Sequence, residues 1–193
     1  MKLTQMIVNY TEVENLNGAI IALDQEKAYD KIAHNYMWKV LSYCDFPSHF
    51  INTVQTLYVH AETVVIINRI RSSPFKVTRG VRQGDPLSCL LFNLAIEPLA
   101  EALQKSDLQG FQAPGMEYRT VVSMFADDTT VYLTKDDDYA SLQSILHKWC
   151  TASGAKFNTT KTEIIPIGLH DYRENLYNTH ILNPNHPPLP ANL

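Results

Sequence analysis

An α+β fold, in which an antiparallel sheet is covered by helices on one face, is what this sequence predicts, and three observations predict it. Short β-type runs alternate with helical stretches, two of those runs flank an acidic turn, and 45% apolar residues in a chain of 193 supply one core.

Taken in order, Asn17-Gly18 is a turn signal, and the apolar run that continues to Leu23 is too short for a helix. It reads as a buried strand that ends at Asp24. Helical spacing follows from Asp30 to Leu41. It returns behind Pro47-Ser48, where Phe50, Ile51, Val54, Leu57 and Tyr58 recur. Thr63–Asn68 and Phe75–Thr78 are β-type runs on either side of Arg71-Ser72-Ser73-Pro74, a hairpin that leads into Gly80. Asp85 is placed to cap a long helix with Pro86 in its first turn and Leu87, Leu90, Leu91, Leu94 and Leu99 on its apolar face; Pro98 is expected to kink or end it. Thr120–Phe125 and Thr130–Leu133 then flank Ala126-Asp127-Asp128-Thr129, a second hairpin with two acids at its tip. A stripe of Tyr139, Leu142, Ile145, Leu146 and Trp149 predicts a helix that stops near Gly154, and Glu163–Ile167 reads as a last strand. The folded part is expected to span 1–168. From 169 to 193, periodicity fades and Pro184, Pro187, Pro188 and Pro190 predict a disordered or loosely attached tail.

Composition narrows the functional classes. A formal net charge of −4 is unexpected for a protein that grips phosphates, since Lys and Arg supply most non-specific nucleic-acid affinity. Cys44, Cys89 and Cys150 are odd in number and contain no C-x-x-C pair, which argues against a disulfide framework or a zinc site and for a reducing, intracellular setting. Met1–Tyr10 carries Gln and Asn where a signal peptide has its apolar centre, and no uninterrupted apolar run reaches membrane-spanning length. Neither secretion nor a membrane is expected.

The chemistry lies in the acids. A strand exit at Asp24 and a hairpin tip at Asp127-Asp128 can meet at one sheet edge. Adjacent carboxylates repel unless cations neutralise them, and hard divalent ions prefer such oxygen ligands. Two ions roughly 3.5–4 Å apart can activate an attacking 3′-hydroxyl and stabilise a leaving pyrophosphate. An acidic turn alone is weak evidence. Asp136-Asp137-Asp138, close by, has the simpler reading of a cap on the helix at Tyr139. His34, His49, His60 and His147 show no ligand spacing, and Cys89 is expected to be packed.

Leu23-Asp24-Gln25-Glu26-Lys27-Ala28-Tyr29-Asp30, Arg82-Gln83-Gly84-Asp85-Pro86-Leu87-Ser88 and Phe125-Ala126-Asp127-Asp128 resemble, in order and spacing, the three central motifs of reverse transcriptases from non-LTR (LINE-type) retrotransposons. Gly154–Asn158 through Lys161-Thr162-Glu163 resembles the motif that follows, so the match runs from about Gly18 to Gly168. The resemblance implies a polymerase palm, with fingers incomplete and thumb missing, that performs RNA-directed DNA synthesis. It implies two Mg2+ ions, with Mn2+ as the alternative, held by Asp24 and Asp127 with Asp128 in support. The implied partners are an RNA template, a DNA primer and deoxynucleoside triphosphates, in an intracellular, family-wise nuclear, setting. Tyr29 takes the place of the aromatic ring beneath the incoming sugar. The turn Gln25, Glu26, Lys27 and Ala28 presents backbone amides to the triphosphate. Gln83-Gly84 approaches nucleotide and template, Lys161 the phosphates. Arg82 is divided between phosphate and ordinary surface roles, and Asp85 is a helix cap.

Two other readings start from the same residues. One is a catalytically inactive or repurposed remnant that acts by binding. The other is an RNA-binding sheet of the RNP type, disfavoured because Phe125, its exposed aromatic, sits beside two acids.

Overall fold

Four antiparallel strands carry the centre of the computed structural model, which describes residues 2–183, 185 and 189. They are β1 (Gly18–Leu23), β6 (Val122–Phe125), β7 (Asp128–Thr134) and β8 (Glu163–Ile167), in the spatial order β6-β7-β1-β8. β1 is central because its run is apolar on both faces, and it pairs with β7 on one side and β8 on the other.

Alternation along the strands splits the apolar residues between two layers. Ala19, Ile21, Leu23, Val131 and Leu133 enter the main core, against α3 (His34–Tyr43), α5 (Pro86–Gln104) and α6 (Tyr139–Ser153). Ile20, Tyr132 and Ile167 point the other way, where Phe111 and Ile7 of α1 (Lys2–Val13) cover them and Thr4 meets the Tyr132 hydroxyl at 2.8 Å. α1 shields only one end of that face. At the other end Phe125 is 83% and Ile165 46% exposed, so the sheet stays open beside the acids. Helices therefore cover one face fully and the second in part.

α5 is the core helix. Asp85 Oδ1 accepts from Leu87 N at 2.9 Å as the expected cap, and Pro86 occupies the first turn. The helix does not end at Pro98. It continues to Gln104, and the Ala95 carbonyl near the proline accepts from the Tyr36 hydroxyl, which in turn accepts from Trp149 Nε1, both at 3.1 Å. This chain ties α3, α5 and α6 together. α5 is long and apolar enough to cross a membrane by length and mean hydropathy alone, yet Asn93, Glu97 and Glu101 interrupt its apolar run, and its buried Leu91, Phe92, Ala95, Leu99 and Leu103 pack in this core.

Between α4 (Ser48–Val59) and α5 the chain forms a nested hairpin arm. β2 (Glu62–Thr63) pairs β5 (Phe75–Lys76) at its base, and β3 (Ile66–Ile67) pairs β4 (Ile70–Arg71) at its tip. The tail expected from 169 is in part structured. α7 (His170–Thr179) lies beside β8, with Leu176 and Leu182 buried and Tyr172 Oη donating to the Leu182 carbonyl at 3.2 Å. Pro184, Pro187, Pro188 and Pro190 lie outside the described residues.

Candidate active site

The register of β1 and β7 brings the predicted acids to one end of the sheet. Leu23 pairs with Thr129, so one further step sets Asp24 across from Asp128 on the open face. Phe125 pairs with Asp128, which leaves Ala126 and Asp127 as a two-residue turn with Ala126 at φ 53°. Asp127 and Asp128 are exposed, and among the described residues neither meets a cation or accepts a hydrogen bond through its side chain. Lys161 Nζ stands 4.0 Å from Asp24 Oδ2, the one ion pair that any of the three acids makes among the described residues. Among the described residues no three His, Cys, Asp or Glu side chains converge as a ready metal cage.

Asp24 is held from behind by the stretch that follows α6. Asn158 N donates to the Asp24 carbonyl and Glu26 N to the Lys156 carbonyl, both at 2.8 Å, with Gln25 bridged to Phe157 between them. Gly154 closes α6 in the left-handed conformation (φ 76°) and turns the chain toward this contact. The Glu26 carboxylate meets Lys31 at 2.9 Å and Lys156 at 3.3 Å, and these two cations hold it below the usual carboxylate range. Since Glu26 spends its amide on Lys156, the expected anion nest of Gln25–Ala28 is smaller than the sequence indicates. The Gln25 side chain is 6% exposed with both amide atoms lacking partners, and Ala28 is buried, so both face inward; Lys27, at φ 50°, is exposed.

Tyr29 lies against α5. Its ring stacks on Phe92 with centroids 4.6 Å apart and planes 15° from parallel, and its hydroxyl donates to Cys89 Sγ at 3.6 Å. That contact, then burial, then the charges of Cys89 and Asp127 push the phenol above its ordinary value. Cys89 is exposed, not packed as expected. In the first turn of α5 it is Ser88 that faces the core, 1% exposed with an unpartnered hydroxyl, while Cys89 faces the site.

Gln83 and Gly84 are exposed just before α5. Gly84 has φ 86°, and a Cβ there would meet nothing within 4 Å, so its backbone rather than local crowding calls for glycine and the space above it is free for a ligand. Arg82 is occupied structurally: it donates to the Leu57 carbonyl at 2.9 Å and lies 5.6 Å over the Tyr58 ring. The contacts by which Gly80, Val81 and His34 join the motifs were not visible in the sequence. Gly80 N donates to Ile32 O and Val81 N to Tyr29 O, both at 2.7 Å, and His34 Nε2 sits 2.8 Å from the Gly80 carbonyl. A Cβ on Gly80 would fall 2.5 Å from the Tyr29 carbonyl, so the glycine is needed for this docking. Its φ of 77° carried no sequence signal beyond the residue type.

An antiparallel sheet packed under helices, with carboxylates at one end of its strands, is a palm-like fold. The chain belongs to the reverse transcriptase (RNA-dependent DNA polymerase) family, whose model matches residues 2–174. It is 35% identical over 156 residues to the uncharacterized 149 kDa protein of transposon TX1 from Xenopus laevis, a match that covers 81% of this chain and 12% of that protein. It is 31% identical over 151 residues to the retrovirus-related Pol polyprotein of the type-2 retrotransposable element R2DM from Drosophila melanogaster, covering 77% and 14%. These relatives bear out the non-LTR resemblance, and the chain spans roughly an eighth of their length. In fold it is similar to telomerase from Candida tropicalis: TM-score 0.57 and 14% identity to the complex with a telomeric RNA fragment, over 86% of this chain and 28% of that one. The apo enzyme gives TM-score 0.59 and 15% identity, over 86% and 35%.

Proposed function

We propose that this chain is the palm of an RNA-directed DNA polymerase and that Asp24, Asp127 and Asp128 bind the divalent ions of nucleotidyl transfer. The observation that supports the reading is the pairing of Leu23 with Thr129 and of Phe125 with Asp128, which brings the exit of β1 before Asp24 and the turn at Asp127 to the same end of a sheet whose face is open there. The donor set fits hard cations: Asp127 and Asp128 are exposed carboxylates, and Asp24, half-exposed, has Lys161 4.0 Å away as its ion-pair partner. Two Mg2+ ions, or Mn2+, supply Lewis acidity to the primer 3′-hydroxyl and to the leaving pyrophosphate.

The residues around the acids have separate tasks in this reading. Tyr29, stacked on Phe92, supports the sugar of the incoming deoxynucleoside triphosphate. Gln83 and Gly84 border nucleotide and RNA template. Lys161 moves from Asp24 to the triphosphate, where one positive charge aids departure of pyrophosphate. Lys27 and the remaining amides of the Gln25–Ala28 turn contact phosphate, by backbone for Gln25 and Ala28. The test is primer extension on an RNA template with magnesium. Extension that is abolished by Asp127→Ala supports the reading, and extension that survives the substitution rejects it.

One observation favours a second reading, a domain that folds and binds without catalysis: the acids do not converge as a ready cage among the described residues. Calorimetric titration with magnesium and a deoxynucleoside triphosphate separates the two. Absence of any heat of binding favours the non-catalytic domain.

A further inference from the structure

The charge of this chain is unevenly distributed. Residues 62–82 contain Arg69, Arg71, Lys76, Arg79 and Arg82 against one acid, Glu62, in a protein that has 16 cations and 20 acids overall. Arg82 is tied to the Leu57 carbonyl; the other four are exposed and make no ion pair among the described residues. The arm also leaves Ile66, Ile67 and Ile70 between 58% and 74% exposed, and Phe75 50% exposed. Its tip turn places Asn68 and Arg69 at φ 50° and 67°, in the left-handed region where glycine is the unstrained choice, so the turn presents a cation where a small neutral residue is easier to accommodate. At the base, a cavity of about 610 Å³ runs from Phe75 and Arg79 to Gln83, with Arg82 and the acids Asp30 and Glu62 also in its lining.

Unpaired cations beside exposed apolar and aromatic groups suit a polyanion with stackable bases. A protein surface is a weaker fit, since a second copy seated on the isoleucines would leave the cationic track from Lys76 to the cavity uncovered. We propose that the arm is a nucleic-acid contact separate from the carboxylate site. It binds single-stranded RNA, with Arg69, Arg71, Lys76 and Arg79 on phosphates and Phe75 against a base. The choice of RNA over DNA rests on the polymerase reading; the contact itself does not. It also accounts for how an acidic chain holds a polyanion: of its 20 acids only Glu62 lies in this segment.

Fluorescence anisotropy of a labelled single-stranded RNA oligonucleotide, without divalent ions or nucleotide, tests the arm independently of Asp24, Asp127 and Asp128. The triple variant R69Q/R71Q/K76Q is compared with K39Q/K135Q/K148Q, which removes the same charge from exposed lysines elsewhere. Every phosphate that a cation no longer neutralises reduces the slope of log K against log salt by about 0.7. The arm variant is therefore expected to lower the slope by about 2 and to weaken binding more than tenfold at low salt, with the control close to the unaltered chain. Equal weakening in the two variants, or no RNA binding by the unaltered chain, overturns the proposal. An arm variant that dissociates a dimer on light scattering while it keeps RNA affinity assigns the surface to a second copy and overturns it too. The same oligonucleotide as DNA distinguishes the sources: equal affinity withdraws the assignment to RNA.

Discussion

Asp127-Asp128 and the Asp137-Asp138 pair of the Asp136-Asp137-Asp138 run lie on the same stretch of chain, yet the fold treats them oppositely. Asp137 is 3% exposed and surrounded by donors: Gln109 N at 2.6 Å, Thr134 N at 2.7 Å, Thr134 Oγ1 at 3.0 Å and Gly110 N at 3.4 Å. Asp138 accepts from Ala140 N at 3.0 Å and Ser141 N at 3.1 Å at the start of α6. The acids at the tip of β6 and β7 meet no such donors. What separates a structural from an available carboxylate is the backbone amides within reach, and a carboxylate spent on four donors has little left for a cation. Among the described residues no cation pairs with Asp127 or Asp128; Lys161 stands beside Asp24 instead.

The sharpest way to break this comparison is to exchange the effects. Asp137→Ala leaves buried amides without an acceptor and is expected to cost about 3–5 kcal/mol in urea unfolding, whereas Asp127→Ala is expected to change stability by less than about 0.5 kcal/mol. Equal destabilisation would show that the tip acids are structural as well. Next in size is the reverse experiment on ligand binding. Asp127→Asn is expected to lower magnesium affinity, followed by calorimetry in the presence of nucleotide, by more than about 10–100-fold, the range reached by groups that only support a ligand. An unaltered affinity would place the ion elsewhere.

Much of this contrast was legible in the chain because it is local. Asp138 three residues before Ser141, Asp85 before Pro86 and Gly154 after the α6 stripe are read from neighbours in sequence, and the structure has all three caps. β-type flanks around Asp127-Asp128 likewise foretold the hairpin. The role of Asp137 was hidden, since half of its donors come from Gln109 and Gly110, distant in sequence. The Gly80–Tyr29 docking was hidden for the same reason. α1 and α7 gave weak signals: among the described residues Ile7 is the one fully buried apolar side chain in the first, beside the polar Thr11, and Leu176 the one in the second, so neither shows an apolar stripe. Cys89 was misjudged because periodicity identifies an apolar helix face without saying where, at the first turn, that face gives way to the site.

Asp138→Ala removes an N-cap and is expected to cost about 1 kcal/mol in the same unfolding assay, less than Asp137→Ala and more than the tip substitutions. A cost as large as that of Asp137→Ala would mean that the cap is coupled to the buried carboxylate.

The smallest effect expected reports on Tyr29, where an available acid and a neighbouring thiol act on one phenol. Its hydroxyl is raised first by the Cys89 contact, then by burial, then by Asp127. A phenol whose value is raised on folding binds its proton more tightly in the folded state. Its contribution to stability is therefore complete below the unfolded value near 10 and disappears as the pH climbs through the raised one. Tyr139 and Tyr172, both pushed up to about 12 chiefly by burial, add to the same alkaline loss, so the Tyr29 signal must be isolated. Tyrosinate absorbance of the unaltered chain minus that of Tyr29→Phe does so. In Cys89→Ala the midpoint of that difference curve is expected to move down toward the ordinary value, and in Asp127→Asn to move down by less, in the order of the causes. A midpoint indifferent to Cys89 would mean that burial alone governs the phenol. One that responds more to Asp127 than to Cys89 would bring the acidic tip closer to the ring than the stacking on Phe92 implies.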